Sequence, residues 1–274
     1  MKTLLTRTLT GLLFVAVVVF AILSKPLVLL NVFLVFACIA LYEYRSLWNV
    51  KQIYLSPLFF VIALLLYLFT GYIALWKIVV YRNIFPYLLL GLLLLLPIVE
   101  LFHKKESAPL GVIAAQLGAM IFIVLPLALI NHFLLIDQGK WILLAMFIMI
   151  WSYDTFAYCI GSLIGKHPLF QRISPKKSWE GSIGSAILTL VFAYFFSYFF
   201  PSVAITSWQW VAMGGIVVLM GTLGDLSESM FKRWIGVKDS GSILPGHGGI
   251  LDRFDSLIFV APFVLIYLHI IYTY

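Results

Sequence analysis

Charge is what this sequence has least of. Only 11% of its 274 residues are Asp, Glu, Lys or Arg, against 63% that are hydrophobic, and the mean hydropathy is +1.08. Soluble globular domains carry roughly 25% charged residues, so water is excluded as the solvent for most of this surface. Cysteine is nearly absent as well. Cys38 and Cys159 each sit inside an apolar run, which excludes a disulfide framework and any CxxC-type metal site. No internal repeat, low-complexity linker or polar extramembrane domain stands out.

What the chain does have is apolar length. Apolar stretches fall near 8–24, 27–44, 57–76, 82–101, 110–136, 141–162, 182–200, 208–226 and 255–273. Most approach the ~20 residues that cross ~30 Å of hydrocarbon. Closed-barrel alternation is not visible, so helices must satisfy the backbone inside lipid. The expectation is an all-α, polytopic integral membrane protein with about nine transmembrane helices in a single membrane domain, 1–274. Residues 1–140 then form a scaffold half, and 141–274 carry the site. Residues 8–44 divide into two short spans or run as one. The first stretch has a basic flank, Lys2 and Arg7, like a signal peptide; Leu23-Ser24-Lys25-Pro26 is a poor cleavage site, so it is read as a retained helix.

The net charge of +7 invites a nucleic-acid reading, and its distribution argues against one. With the N-terminus inside and nine spans, the cytoplasmic face holds fourteen basic residues: Lys2, Arg7, Arg45, Lys51, Lys104, Lys105, Lys166, Arg172, Lys176, Lys177, Lys232, Arg233, Lys238 and Arg253. The outer face holds four, Lys25, Lys77, Arg82 and Lys140. That positive-inside bias predicts an N-in, C-out protein and accounts for the charge through anionic head groups and a cytosolic phosphate-bearing substrate. The two longest polar stretches, 163–181 and 227–254, then lie on the cytoplasmic side, where a polar cavity is expected.

Chemistry concentrates between Gly224 and Asp255. Five of the eleven acids (Asp225, Glu228, Asp239, Asp252, Asp255) and four basic residues (Lys232, Arg233, Lys238, Arg253) fall within the 31 residues from Asp225 to Asp255. Carboxylates beside Lys and Arg are what a phosphate–Mg²⁺ site needs, since hard oxygen ligands hold the cation and basic groups neutralise phosphate. The turn Pro245-Gly246-His247-Gly248-Gly249 offers backbone N–H groups as an anion-binding nest. Asp252 and Asp255 share a face if the last helix begins near Ile250. A charged loop with turn glycines would explain any one of these pairs alone, but not the whole constellation.

The run SMFKRWIGVKDSGSILPGHGGILDRFD, Ser229 to Asp255, resembles the signature of the phosphatidate cytidylyltransferases, the CDP-diacylglycerol synthases. The positions that carry the likeness are Ser229, Lys232-Arg233, Lys238-Asp239, His247-Gly248-Gly249, Asp252-Arg253 and Asp255. Two further blocks resemble the same family: ISPKKSWEG at 173–181, and WSYDTFAYCIGSLIGKH at 151–167, an Asp-containing span running into a Gly-x-x-x-Gly-Lys turn. The likeness is specific in the C-terminal half and one of character only in the N-terminal half. It implies that a phosphatidate oxygen attacks the α-phosphorus of CTP, giving CDP-diacylglycerol and pyrophosphate. It implies Asp225 and Asp252 as ligands of Mg²⁺ with room for a second cation, a homodimer, and a cytoplasmic (inner) membrane location.

Individual residues carry blander alternatives. Asp154 lies within a span, where an acid must face a bundle interior or hydrated cavity, as a structural hydrogen-bonding acid or as part of the site; the site role is preferred. Lys166, Lys176 and Lys177 serve topology or bind nucleotide and head group, and Trp179-Glu180-Gly181 beside them favours binding. Ser174 and Ser178 cap a helix or contact phosphate. His247 is a proton donor to pyrophosphate or a turn residue organising Gly248 and Gly249. Three rivals remain: a polyprenol or phytol kinase moving the γ-phosphate, a CDP-alcohol phosphotransferase whose D-G-x-x-A-R pattern is missing, and a transporter using Asp154 and Asp225. The one-sided polar motifs speak against the last.

Overall fold

The computed structural model describes residues 2–76, 85–101, 109–246 and 248–273. Lys77, Arg82, Lys104, Lys105 and His247 lie outside the described residues. The chain divides into two compact units: Met1–Leu135 with Asp239–Arg253, and Ile136–Lys238 with Phe254–Tyr274.

The first unit contains α1 (Lys2–Leu23), α2 (Pro26–Val50), α3 (Pro57–Trp76), α4 (Phe85–Leu101) and α5 (Pro109–Ala119). Pro26, Pro57 and Pro109 each open a helix, where the missing N–H would have had no partner anyway. Residues 8–44 therefore contribute to two helices, separated at Ser24-Lys25. Beyond α5 the helix widens into a π turn, Met120–Val124, before α6 (Leu125–Leu129) and a 3₁₀ turn, Ile130–Leu135. Pro126 stands just after the wide turn; it lacks a donor and its ring needs space against the preceding turn. Leu30, Phe33, Phe59, Leu66, Tyr67, Leu96 and Phe133 are fully buried. Two phenols tie helices to one another: Tyr67 donates to the Leu30 carbonyl and Tyr44 to the Ala115 carbonyl, each at 3.0 Å.

The second unit contains α7 (Gly139–Ile164), α8 (Trp179–Tyr194), a short α9 (Phe196–Phe199) and α10 (Ser207–Ile235), plus most of α11 (Leu251–Thr273), whose first turn belongs to the first unit. The all-α reading holds for every apolar segment described. The departure is a small antiparallel hairpin of β1 (Pro168–Phe170) and β2 (Ser174–Ser178), pairing Pro168 with Ser178 and Phe170 with Ser174. Pro168 and Pro175 deny this stretch a helix, and extended backbone is what the residue before a proline prefers.

The span expected over 208–226 is longer in the structure, because α10 runs on to Ile235. Thr206 and Gln209 form a capping box at its start, and Gly236, at φ +97°, ends it in a left-handed turn. Lys232 and Arg233 occupy its last turn, where cations complement the helix dipole. At ~1.5 Å per residue such a helix exceeds the ~30 Å of hydrocarbon, so its acidic and basic residues have length to spare.

Seven described helical segments are long and apolar enough to cross a membrane, and two shorter apolar helices, Pro57–Tyr72 and Leu89–Leu101, accompany them. The protein is a multi-pass membrane protein.

Close packing in the second unit rests on glycine. A Cβ on Gly165 would sit 2.4 Å from the Gly161 carbonyl oxygen and 2.5 Å from Ser178 Oγ, and one on Gly181 only 3.0 Å from Gly161 Cα. Small residues are what let membrane helices approach this closely. Gly165→Ala is expected to cost about 1–3 kcal/mol of stability, read as a lower unfolding temperature in detergent. Gly91→Ala, where nothing lies within 4 Å of the new Cβ, is expected to leave that temperature unchanged or raise it.

Candidate functional site

In the second unit the hairpin, α7, α10 and α11 supply the polar groups. Ser178 caps α8 by accepting from the Gly181 N–H at 3.1 Å. Glu180, in the first turn of α8, accepts from the backbone N–H groups of Lys166 at 3.1 Å and His167 at 3.2 Å, and lies 2.5 Å from His167 Nδ1. These bonds fix the hairpin on its helix and aim Lys177 at α10, where its ammonium pairs with Asp225. Ser229, one turn further along α10, donates to the other oxygen of Asp225 at 3.3 Å. Lys232 pairs with Glu228 at 3.1 Å, with both side chains about nine-tenths buried.

Asp255 joins this group from α11. Its carboxyl lies within electrostatic reach of Asp225, Glu228 and Asp154, all in the same unit. Gly224 brings α11 close enough for the purpose: a Cβ there would be 2.6 Å from the Asp255 carbonyl oxygen. Ser256 donates to the Gly221 carbonyl at 3.2 Å, and the Tyr153 and Thr222 hydroxyls meet at 2.6 Å.

In the first unit the loop of 239–253 is built around two carboxylates. Asp252, in the first turn of α11, is 8% exposed. It accepts from the Ser240 N–H, 3.0 Å from Oδ2 and 3.2 Å from Oδ1, and from the Gly249 N–H at 2.7 Å. Gly246 and Gly248 adopt φ near +77°, conformations that favour glycine, and the Leu244 N–H closes the turn on the Gly248 carbonyl at 3.0 Å. Arg7 and Thr10 of α1 donate to the carbonyls of Gly246 and Pro245 at 2.9 and 3.2 Å. The Gly249 N–H thus donates to a carboxylate of the chain itself, the Asp252 side chain.

The remaining predicted residues are more peripheral. Lys166, Lys176, Lys238, Asp239 and Arg253 are exposed, Arg233 donates to the Val237 carbonyl at 2.9 Å, and Ser174 opens β2 half-buried. Asp154 is exposed on α7. Asp225 and Asp252, paired by the resemblance, belong to different units, each with the neighbours given above. Two residues escaped the sequence reading as site components. Glu228 was counted among the acids but given no role, and Glu43 of α2, which binds the same loop as Asp252, was left in the scaffold. The signal for Glu43 was present: an acid inside an apolar span is costly and seldom idle.

Among the described residues no three His, Cys, Asp or Glu side chains are already arranged as a metal cage. The donor chemistry nevertheless suits a hard cation. The acids supply only oxygen, and the Lys177 ammonium already rests on Asp225 as a cation would.

A family model described as "Cytidylyltransferase family" matches residues 5–271. The chain belongs to the cytidylyltransferase family. Among similar members are proteins named phosphatidate cytidylyltransferase from Staphylococcus haemolyticus, 48% identical over 132 residues, and Staphylococcus aureus strain COL, 47% over 134. Another, from Haemophilus influenzae, is 44% identical over 129 residues. The matched segment covers 46–48% of this chain and spans only about half the length of each relative, 45–50%.

Within this member of the family the Lys177–Asp225 contact is testable as a pair. Lys177→Ala and Asp225→Ala should combine less than additively in a double-mutant cycle on unfolding, with a coupling of about 0.5–3 kcal/mol. Strict additivity would show that the contact contributes nothing to stability.

Proposed function

We propose that this cytidylyltransferase activates phosphatidic acid with CTP, forming CDP-diacylglycerol and releasing pyrophosphate. The observation that carries the reading is the Ser229–Asp255 run in a family member whose relatives are named phosphatidate cytidylyltransferase. A phosphate oxygen of phosphatidate is anionic at neutral pH, so no strong general base is needed. It attacks the α-phosphorus of CTP, a new P–O bond forms, and the bond from that phosphorus to the bridging oxygen breaks. Pyrophosphate leaves with the electron pair.

Such a reaction needs alignment and charge neutralisation above all. Lys177, Lys232, Arg233, Lys238 and Arg253 neutralise phosphate oxygens in this reading, with Lys166, Ser174, Lys176, Ser229 and Asp154 lining the route of nucleotide and head group. On the resemblance, Asp225 and Asp252 are the residues that would hold Mg²⁺, with a second cation possible. When bound, Mg²⁺ supplies charge neutralisation at the α-phosphate and the leaving pyrophosphate. The reading extends, on the resemblance, to a homodimer in the cytoplasmic membrane. The positive-inside bias supports nine spans, N-in and C-out, with the site facing the cytoplasm.

In detergent micelles with phosphatidic acid, Mg²⁺ and CTP labelled at the α-phosphate, label is expected in the lipid phase together with free pyrophosphate. Asp225→Asn and Asp252→Asn should each reduce that turnover by roughly 100-fold or more, the scale on which preorganised charge acts on a transition state. Label retained in water as CDP would identify a γ-phosphate transfer instead. For orientation, Lys140→Cys in a variant without Cys38 and Cys159 is expected to react with an impermeant maleimide from outside intact cells, and Lys238→Cys is not. The reverse pattern overturns the topology.

A further inference from the structure

We infer that Glu43, in a helix far along the chain from the signature, is the positioning residue that holds the loop of 239–253 and, through it, sets the carboxylate of Asp252. The inference rests on the cytidylyl-transfer reading above.

Glu43 is 2% exposed. Oε1 accepts from the Ile250 N–H at 2.9 Å, and Oε2 accepts from the Leu251 N–H at 2.9 Å and the Ser240 hydroxyl at 3.2 Å. Leu251 is the first residue of α11, so two of these donors are N–H groups at that helix start which find no partner inside the helix. A carboxylate is the side chain suited to the place, because it accepts at both oxygens and donates at neither.

The loop's glycines fit the same carboxylate. A Cβ on Gly241 would lie 2.6 Å from Glu43 Oε1, and one on Gly249 would lie 2.4 Å from Oε2. Any side chain at either position would displace the acid. The glycines are thus explained by an internal anion as well as by the turn they make.

Ser240 and Gly249 also connect Glu43 to Asp252. The Ser240 hydroxyl goes to Glu43 while its N–H goes to Asp252. The Gly249 N–H binds Asp252 at 2.7 Å while its α-carbon packs against Glu43. Two residues therefore report the position of one carboxylate to the other. The charge of Glu43 is fully engaged by backbone and hydroxyl donors, so it acts by shape, and Asp252 is the group it serves.

The test is Glu43→Gln in the full-length protein. Glutamine is nearly the same size and turns one accepting oxygen into an NH₂ that faces donors. The expected result is a fall in kcat of at least tenfold, with KM for CTP within twofold and the unfolding temperature within a few degrees of wild type. Hydrogen exchange without Mg²⁺ or nucleotide should quicken at least tenfold in peptides covering 239–253 and stay unchanged elsewhere. Glu43→Asp, which keeps the charge on a shorter stem, should restore part of kcat. Unchanged kcat and exchange overturn the inference. So does a uniform loss of protection throughout the protein, which marks a role in general stability only. If Glu43→Gln does not accumulate, Ser240→Ala removes one donor and leaves α2 intact; it should still lower kcat about threefold and quicken exchange in the same peptides, and no effect overturns the inference. A wild-type protein that transfers no label would sink the cytidylyl-transfer reading, whereas failure confined to Glu43→Gln would sink only this one.

Discussion

A carboxylate placed among apolar helices must find donors or cations, since an uncompensated buried charge costs several kcal/mol. That requirement organises the polar part of this protein. Asp225 has Lys177 and Ser229, Glu228 has Lys232, Asp252 has the backbone of Ser240 and Gly249, and Glu43 has the start of α11. Two of these pairings hold segments with little apolar surface of their own: Lys177 ties the hairpin to Asp225 in one unit, and Glu43 and Asp252 hold the 239–253 loop in the other. Hydrophobic contact gives the helices their places, and the acids shape what lies at their ends.

The same requirement fits the proposed chemistry. A site that handles three or more phosphates and a divalent cation must tolerate large changes of charge as substrates enter and leave. Carboxylates already matched with ammonium groups and backbone dipoles provide such tolerance without large rearrangement, which is the sense in which preorganised charge lowers a barrier.

Much of this was legible in the sequence. Apolar runs near 20 residues point to the helices, and the fall of acids within 225–255 marks the polar region. The capping role of Ser178 was one of two alternatives left open, and the start of α11 at Leu251 lies one residue from the expected Ile250. Other features were hidden for physical reasons. Residues 227–235 read as loop because they are polar, yet an i, i+4 ion pair and a capping glycine carry the helix through them. The hairpin is too short for a period to show. An acid inside an apolar span marks Glu43 as needing partners, but which partners is hidden because they lie about two hundred positions away.

That separation has a consequence for biosynthesis. Glu43 lies in α2, whereas Ile250, which satisfies it, is synthesised 207 residues later. At ~5–20 residues per second, the interval is roughly 10–40 s. During that time the acid must find other polar partners, in water at the membrane edge or in the insertion machinery. The bonds between Glu43 and the 239–253 loop therefore form long after α2 has been synthesised.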